Sequence, residues 1–476
     1  MPSLTNTESL LYPDISDILK SHTDKYIPSF QMSVKLHTVD KDLDQRDGIV
    51  LSDIVIIRDY IENISDYIEI RLSVHLGTFI YDIYPYLDNI ELTITTNKQL
   101  HQNKNPYIKT ERYKAVYILE KNKSIPNTVN QSREDLNQNL PVLLTLQLLD
   151  RSVETIRIKT TQGNFDKSIN PKNKDMSPKA FLKSIISEET NKILIENKPP
   201  LDNISIEDPD NLEQLKSITI PSYTRIVELP EIIQNNNIGM YNSGIGNYIQ
   251  TFGIDPFTYK KTFFIYSLFN PKKYETSEYK IIFYSPVTSN YSLTDITYKY
   301  TDKVLKVLTN TISVINDQKE TNLMSTGSGF RVSNANSYMK KPIEITEQGP
   351  KFKRDGLNTE IVYNERADGL NFAPNKSISN NSFSLASEVL KKRGNYINLE
   401  VNNLDHDFIY PGAPCKINYE NKDNKVNEIY GVIHEVIVKY NSTSTNMLQN
   451  YNSNYVSLSS KHTIKVFVDT INPIGV

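Results

Sequence analysis

The sequence predicts a mainly β protein with α/β insertions, and three observations carry that prediction. The first is strict period-2 alternation over residues 67–76. Ile68, Ile70, Leu72, Val74 and Leu76 fall on one face, and Tyr67, Glu69, Arg71, Ser73 and His75 on the other. Alternation of this kind marks a strand with one buried and one wet face. The second is the stretch 395–440. There Ile397, Leu399 and Val401 alternate with Asn398 and Glu400, Pro411-Gly412 breaks the chain, and β-like runs follow at 415–419 and 429–438 around a polar turn at 420–427. This is the pattern of an antiparallel meander. The third is a helix between two β-rich stretches. Ser177 stands as N-cap and Pro178 at the first helical position, and Phe181, Leu182, Ile185, Ile186, Ile193 and Leu194 form a stripe that ends before Pro199-Pro200.

Taken in order, residues 1–25 are polar with a small apolar stripe, read either as a docking arm or as a lightly ordered terminus. Strands are expected at 30–36, 49–59, 67–76, 90–95, 113–120, 140–149 and, as a β-like continuation, 151–160. Residues 40–48 are read as a charged turn, 77–86 as an aromatic-rich stretch ending in a turn, and 97–105 and 124–139 as polar loops. The first sheet therefore spans 26–162, completed by 215–229. A mixed α/β insertion follows over 163–278, with short strands near 218–220 and 226–229, one or two helical turns at 230–235, a Gly-rich turn region at 239–253 and an aromatic strand at 262–268. A second β region covers 279–315 and 395–476, with strands at 280–284, 304–314 and 461–470. Residues 316–394 are polar and irregular, too long for an ordinary loop, and read as an extended insertion with a short helix at 384–392.

At 476 residues the chain exceeds what one hydrophobic core usually serves. No run approaches the roughly 18 apolar residues of a spanning helix, so no direct membrane insertion is expected. The N-terminus lacks the basic and apolar regions of a secretory signal, and the single cysteine, Cys415, cannot form an internal disulfide, which points to synthesis in the cytoplasm. Lys+Arg 53 against Asp+Glu 56 leaves a net charge of -3, without the basic excess of a general nucleic-acid binder.

The search for a catalytic, cofactor-binding or metal-binding site nominates no residue. Seven histidines are scattered, with no His-Glu-x-x-His and no pair at helical spacing, and one cysteine cannot support a thiolate zinc site. Asp405-His406-Asp407 is the one local metal-like cluster, and a charged hairpin tip is the favoured reading. The glycines at 239–253 are not followed by Gly-Lys-Ser/Thr and form no phosphate loop. Glu188-Glu189 lie on the predicted helix and point in different directions.

Four segments, read together, carry a resemblance. They are IEIRLSVHLGTFIYDIYPYLDNIELTIT (68–95), LPVLLTLQLLDRSVETIRIKT (140–160) with the helix opened by Ser177-Pro178, LPEIIQNNNIGMYNSGIGNYIQTFG (229–253), and the Pro411-Gly412 hairpin with 429–438. In order and spacing they resemble the central hub of contractile phage tails, the family of the T4-like baseplate hub and the hub half of type VI secretion spikes. The resemblance covers about half the chain and matches least over 316–394. It implies two tube-like antiparallel β-barrel domains in one chain and a homotrimer whose six barrels adapt a three-fold central spike to a six-fold tail tube. It also implies contacts with tail tube or tube-initiator proteins and surrounding baseplate proteins. The location implied is the virion tail baseplate, assembled in the host cytoplasm, with DNA passing through the lumen without specific binding. No enzymatic activity and no cofactor are expected. The alternative reading is a peripheral tail-tip protein that binds a receptor or glycan, compatible with 30 Tyr and the polar loops, with the absence of Trp counting mildly against it. A wall-degrading enzyme would need two facing carboxylates, and none can be nominated.

Overall fold

The computed structural model describes residues 29–99, 107–118, 141–166, 177–195, 197–210, 212, 217–236, 240–241, 243–252, 259–285, 298–301, 303–315, 330–334, 359–363, 395–420, 426–442 and 456–468. The expected N-terminal arm, the loop at 124–139, the helix at 384–392 and most of 316–394 lie outside them. Seven strands precede the insertion: β1 (Ser29–His37), β2 (Asp42–Leu43), β3 (Ile49–Asp59), β4 (Tyr67–His75), β5 (Ile90–Gln99), β6 (Tyr107–Tyr117) and β7 (Pro141–Asp150). The insertion contributes β8 (Thr160–Asp166), β9 (Asn203–Ile206), β10 (Ser217–Arg225), β11 (Ile245–Phe252) and β12 (Lys260–Ser267). The remainder are β13 (Lys280–Ser285), β14 (Tyr298–Thr301), β15 (Val304–Leu308), β16 (Thr311–Ile315), β17 (Phe330–Asn334), β18 (Thr359–Tyr363), β19 (Asn395–Asn402), β20 (Pro414–Glu420), β21 (Val426–Ser442) and β22 (Val456–Val468). The fold is mainly β, and no described helix is long and apolar enough to cross a membrane.

Hydrogen-bonded neighbours trace a first closed circuit of eight antiparallel strands, β3–β4–β7–β6–β5–β1–β22–β21 and back to β3. Closure removes the exposed edges that an open sheet would present. Its inward residues are those that alternation predicts: Ile68, Ile70, Leu72 and Val74 on β4, Val142, Leu144, Leu146 and Leu148 on β7, Ile90, Leu92 and Ile94 on β5. Each such side chain stabilises the fold by about 1.5–3 kcal/mol relative to exposure. The other face of β4 is drier than expected. Glu69 and Ser73 are buried as well, and the strand ends at His75, where Leu76 enters a short helical segment.

A second circuit runs β13–β20–β21–β22–β19. Its return is the run 304–314, expected as one strand and found as two. β15 pairs parallel with β13, β16 pairs antiparallel with β19, and the turn between them is stitched to both sides. There Thr309 N–H donates to the Tyr284 carbonyl at 2.9 Å and Asn310 N–H to the Glu400 carbonyl at 2.7 Å. β14 lies against the other edge of β15. β17 and β18 form a separate parallel pair.

The two circuits share β21 and β22. β21 pairs with β20 through Val426–Val432 and with β3 through Glu435–Asn441, while its other edge follows β22 from Gly431 to Ser442. The expectation that 215–229 completes the first sheet is therefore corrected. β21 and β22 complete it, and among the described residues β10 pairs only with β8, in a two-stranded sheet. Gly431 is required at the crossing, because a Cβ there would sit 2.4 Å from Val466 Cγ1 and 2.7 Å from the Phe467 carbonyl oxygen.

The insertion has its own core, in which Phe181, Leu182 and Ile186 of the helix Pro178–Asn191 meet Ile218, Ile233, Ile249 and Phe263. Ser177 caps that helix as expected, accepting from Ala180 N–H at 3.4 Å. Two expectations are corrected here. Residues 151–158 form a helix, not a strand, because Asp150 caps it by accepting from Ser152 and Val153 N–H while Val153 and Ile156 share its buried face. The Gly-rich stretch is largely strand β11, which pairs with β12, and β12 pairs in parallel with β9.

Candidate functional site

The most elaborate polar cluster among the described residues fills one mouth of the first circuit, where three parts of the chain meet. β3 places Ile54, Ile56 and Arg58 on its inward face, so the alternation that fills the interior with isoleucine delivers a guanidinium at the end of the strand. β6 similarly turns Lys109, Glu111 and Tyr113 inward. Into this mouth projects the 3-10 turn His406–Phe408, which follows β19 in the second circuit. The favoured reading of Asp405-His406-Asp407 as a charged hairpin tip is thereby corrected. All three are buried, because the turn is the plug of a barrel mouth.

Arg58 organises the cluster. It donates to the His406 carbonyl at 2.8 Å, to Asp407 Oδ1 at 3.2 Å and to Asp66 Oδ2 at 3.1 Å. Burial opposes its charge, but Asp66, Tyr60 and Asp407 outweigh that and hold the guanidinium well above its ordinary range. Lys109 Nζ lies 3.0 Å from Glu111 and 3.4 Å from Asp407 Oδ2. Asp405 accepts from the Asp407 N–H at 3.1 Å, and the Tyr440 hydroxyl meets His406 Nδ1 at 2.9 Å. Oxygen and nitrogen atoms of Asp405, His406 and Asp407 come within 4.8 Å of one another, close enough to hold a cation. Arg58 and Lys109 already supply that positive charge to Asp407.

The insertion closes the mouth from outside. Ser65 bridges Ile249 of β11, and the Tyr248 hydroxyl donates to Asp66 Oδ1 at 2.9 Å. Burial first, then the Asp66 charge, pushes the Tyr248 phenol well up, so it stays a donor. Tyr60 donates to Gln250 Oε1 at 3.1 Å, and Gln250 Nε2 to the Ile409 carbonyl at 2.7 Å. Tyr266 donates to the Tyr60 carbonyl at 2.6 Å and Tyr279 to that of Phe408 at 2.7 Å. Gly412, at φ 66°, lies so close to the Tyr266 ring that a Cβ would come within 2.2 Å of it. A cavity of about 60 Å³ remains between plug and β11, lined by Arg58, Asp66, Lys109, Glu111, Gln250 and His406 among others.

This arrangement locks parts together. Arg58, Lys109, Tyr60, Tyr248, Gln250 and Tyr266 each donate to an acceptor on a different module: β3, its following turn and β6 from the first circuit, 405–409 from the second, β11 and β12 from the insertion. Breaking one partner of such a buried pair costs about 3–5 kcal/mol, whereas replacing both by apolar groups can be neutral. Sequence reasoning found Asp405-His406-Asp407 but not its partners. Arg58, closing an otherwise apolar alternating run, was the available signal.

Comparison with known proteins gives the following. No protein-family model matches the chain, and no curated protein matches it. Among solved structures, the chain is similar to a tail protein from Neisseria meningitidis MC58, at 9% identity and TM-score 0.46, over 91% of this chain and 96% of that one. It is similar to the 43 kDa tail protein of prophage MuSo2 from Shewanella oneidensis, at 8% identity and TM-score 0.45, over 91% and 98%. It is also similar to an Escherichia coli protein described as a component of the type VI secretion system with structural similarity to T4 tail proteins, at 7% identity and TM-score 0.40, over 90% and 76%. Identities this low and superpositions this loose do not assign the chain to a family.

Proposed function

We propose that this chain is a structural virion protein, the hub of a contractile-tail baseplate. In this reading it forms a homotrimer that joins a three-fold central spike to a six-fold tail tube, meets tube or tube-initiator and surrounding baseplate proteins, and lines the DNA channel. The carrying observation is that one chain holds two strand circuits through two shared strands. Three copies would then present six circuits in alternation, which is what a three-to-six adaptor requires. In this reading the two circuits are the two tube-like barrels, and the contact of Arg58 with Asp407 holds them together.

The outward face of β1, β5 and β6 supports a channel role. Cross-strand rows there are His37, Glu91, Lys114; Lys35, Thr93, Arg112; and Ser33, Thr95, Thr110. Charges alternate with hydroxyls and are paired, as at Arg112–Glu91 and Lys35–Asp42. Such a face gives DNA no continuous basic track. The reading assigns the chain no catalysis.

A second reading, a peripheral glycan- or receptor-binding protein, is favoured by exposed aromatics: Tyr81, Tyr84 and Tyr223 are 56%, 60% and 85% exposed. Light scattering on the purified chain separates the two. A trimer, or a monomer that trimerises when the spike is added, supports the hub. A monomer that ignores tail proteins and binds cells or glycans overturns it.

A further inference from the structure

Where β21 passes from the second circuit to the first, it carries a bulge between Ile433 and Glu435, and His434 is the extra residue. Its backbone carbonyl accepts from Tyr60 N–H at 2.8 Å, beginning the pairing with β3. Its ring is fully buried and ties in the insertion, with Nε2 donating to the Leu268 carbonyl at 2.7 Å just past β12. The imidazole stacks on Phe467 at 5.4 Å and 13°, with Phe269 at 5.0 Å and Tyr396 at 5.7 Å around it. Nδ1 has no hydrogen-bond partner among the described residues.

We propose that His434 is a proton-sensitive latch between the insertion and the two circuits. A proton on Nδ1 finds no acceptor in the closed arrangement, so it is accommodated only when the bulge opens.

The surroundings of the ring make the effect one-sided. From the turn after β12 comes Lys273, paired with Glu207 at 3.0 Å. From β22 comes Lys465, whose ammonium lies over the Tyr396 ring at 4.5 Å. β19 presents the Tyr396 ring, and Leu268 and Phe269 just after β12 present a carbonyl and a ring. The nearby carboxylates are Glu435 on the same strand, opposite Lys465, and Asp59 at the end of β3. The Glu435 carboxyl is itself pushed up by burial and by Asp59, which weakens it as a counter-ion for imidazolium. Burial, with the two lysines adding to it, pushes His434 down to about 3. The closed state therefore excludes the proton that a solvent-exposed imidazole accepts near pH 6.5. Linkage then raises the opening equilibrium by about tenfold per pH unit below that point. The inference stands on this cluster alone, independent of any role in a tail.

Hydrogen exchange of the full chain from about pH 7.5 to pH 5, corrected for intrinsic rates, tests it. Peptides covering 57–62, 265–270 and 431–436 should open about tenfold more per unit below pH 6.5, while those of β4 and β7 hold. His434→Gln, which keeps a side-chain donor but does not titrate, should flatten the slope, as should His434→Phe. A flat wild-type profile, an unchanged slope in either variant, or acid opening spread equally over β4 and β7 would each overturn the latch. Should neither variant fold, the contrast between local and global opening in the wild type decides the matter.

Discussion

β21 and β22 both pass through both circuits, yet they change partners in different ways. β22 keeps one phase from end to end: Val456, Leu458, Ser460, His462, Ile464, Val466 and Val468 are all buried. β21 buries Ile429 and Ile433 on one side of its bulge and Val436, Val438 and Tyr440 on the other, so its inward set moves from odd to even positions. The difference follows from what each strand must leave behind. β22 exchanges β1 for β19 across a short gap at 459–460, stitched by Asn403, whose N–H donates to the Ser460 carbonyl at 2.8 Å and whose side chain accepts from Ser460 N–H at 3.1 Å. β21 exchanges β20 for β3 at the bulge itself, with Ile433 N–H on the Ala413 carbonyl at 2.9 Å before it and Tyr60 N–H on the His434 carbonyl at 2.8 Å within it. It supplies the extra residue itself, and the bulge re-aims the strand. Of the two shared strands, one keeps its phase across a gap that a neighbouring loop fills and the other changes it at a bulge.

Deleting His434 should break the comparison most completely. Without the bulge, Val436, Val438 and Tyr440 would turn outward, and a one-residue slip inverts every side chain beyond it. No folded protein is expected, as read by circular dichroism and limited proteolysis. Next comes Asp407→Ala, which strips a buried partner from Arg58 and Lys109. A loss of about 3–5 kcal/mol in urea unfolding is expected, and pairing Arg58→Met with Asp407→Leu should recover much of it.

Acidification acts on β21 through His434. The folded value lies below the ordinary one, so its stabilisation is complete above pH 6.5 and is lost as pH falls towards 3. At pH 5 the loss is about 2 kcal/mol, measured as the wild-type change minus that of His434→Gln. On β22, Asn403→Ala removes the side-chain half of the Ser460 stitch and places alanine at φ 51°. A cost of about 1–2 kcal/mol is expected, and a null effect would mean that β22 does not need the Asn403 side chain.

The alternation of β4, the hairpin of β20 and β21 and the capped helix at Pro178 were legible because each rests on local chemistry: period, turn residue, cap. The meander expected over 395–440 holds only for that hairpin, since among the described residues β19 pairs with β22 and β16 and not with β20. The run 304–314 was legible as apolar but not as two strands, because only its opposite neighbours at Tyr284 and Glu400 divide it. The burial of Asp405, His406 and Asp407 was hidden for a similar reason. Three polar residues beside a turn look exposed until Arg58, nearly 350 positions away in sequence, is known to face them. The phase change in β21 was visible in Ile429, Ile433, Val436 and Val438, and its meaning needed the partner exchange. Helix 151–158 was missed although Asp150, Val153 and Ile156 have the spacing of a capped amphipathic turn.

The central claim is that the shared strands and the Arg58–Asp407 lock make the two circuits one cooperative unit. Hydrogen exchange across a urea series tests it most directly, comparing peptides of β4 and β7, found only in the first circuit, with those of β13 and β20, found only in the second. A common midpoint for both sets is the predicted result. Two separated midpoints, with β13 and β20 exposed while β4 and β7 stay protected, would contradict it.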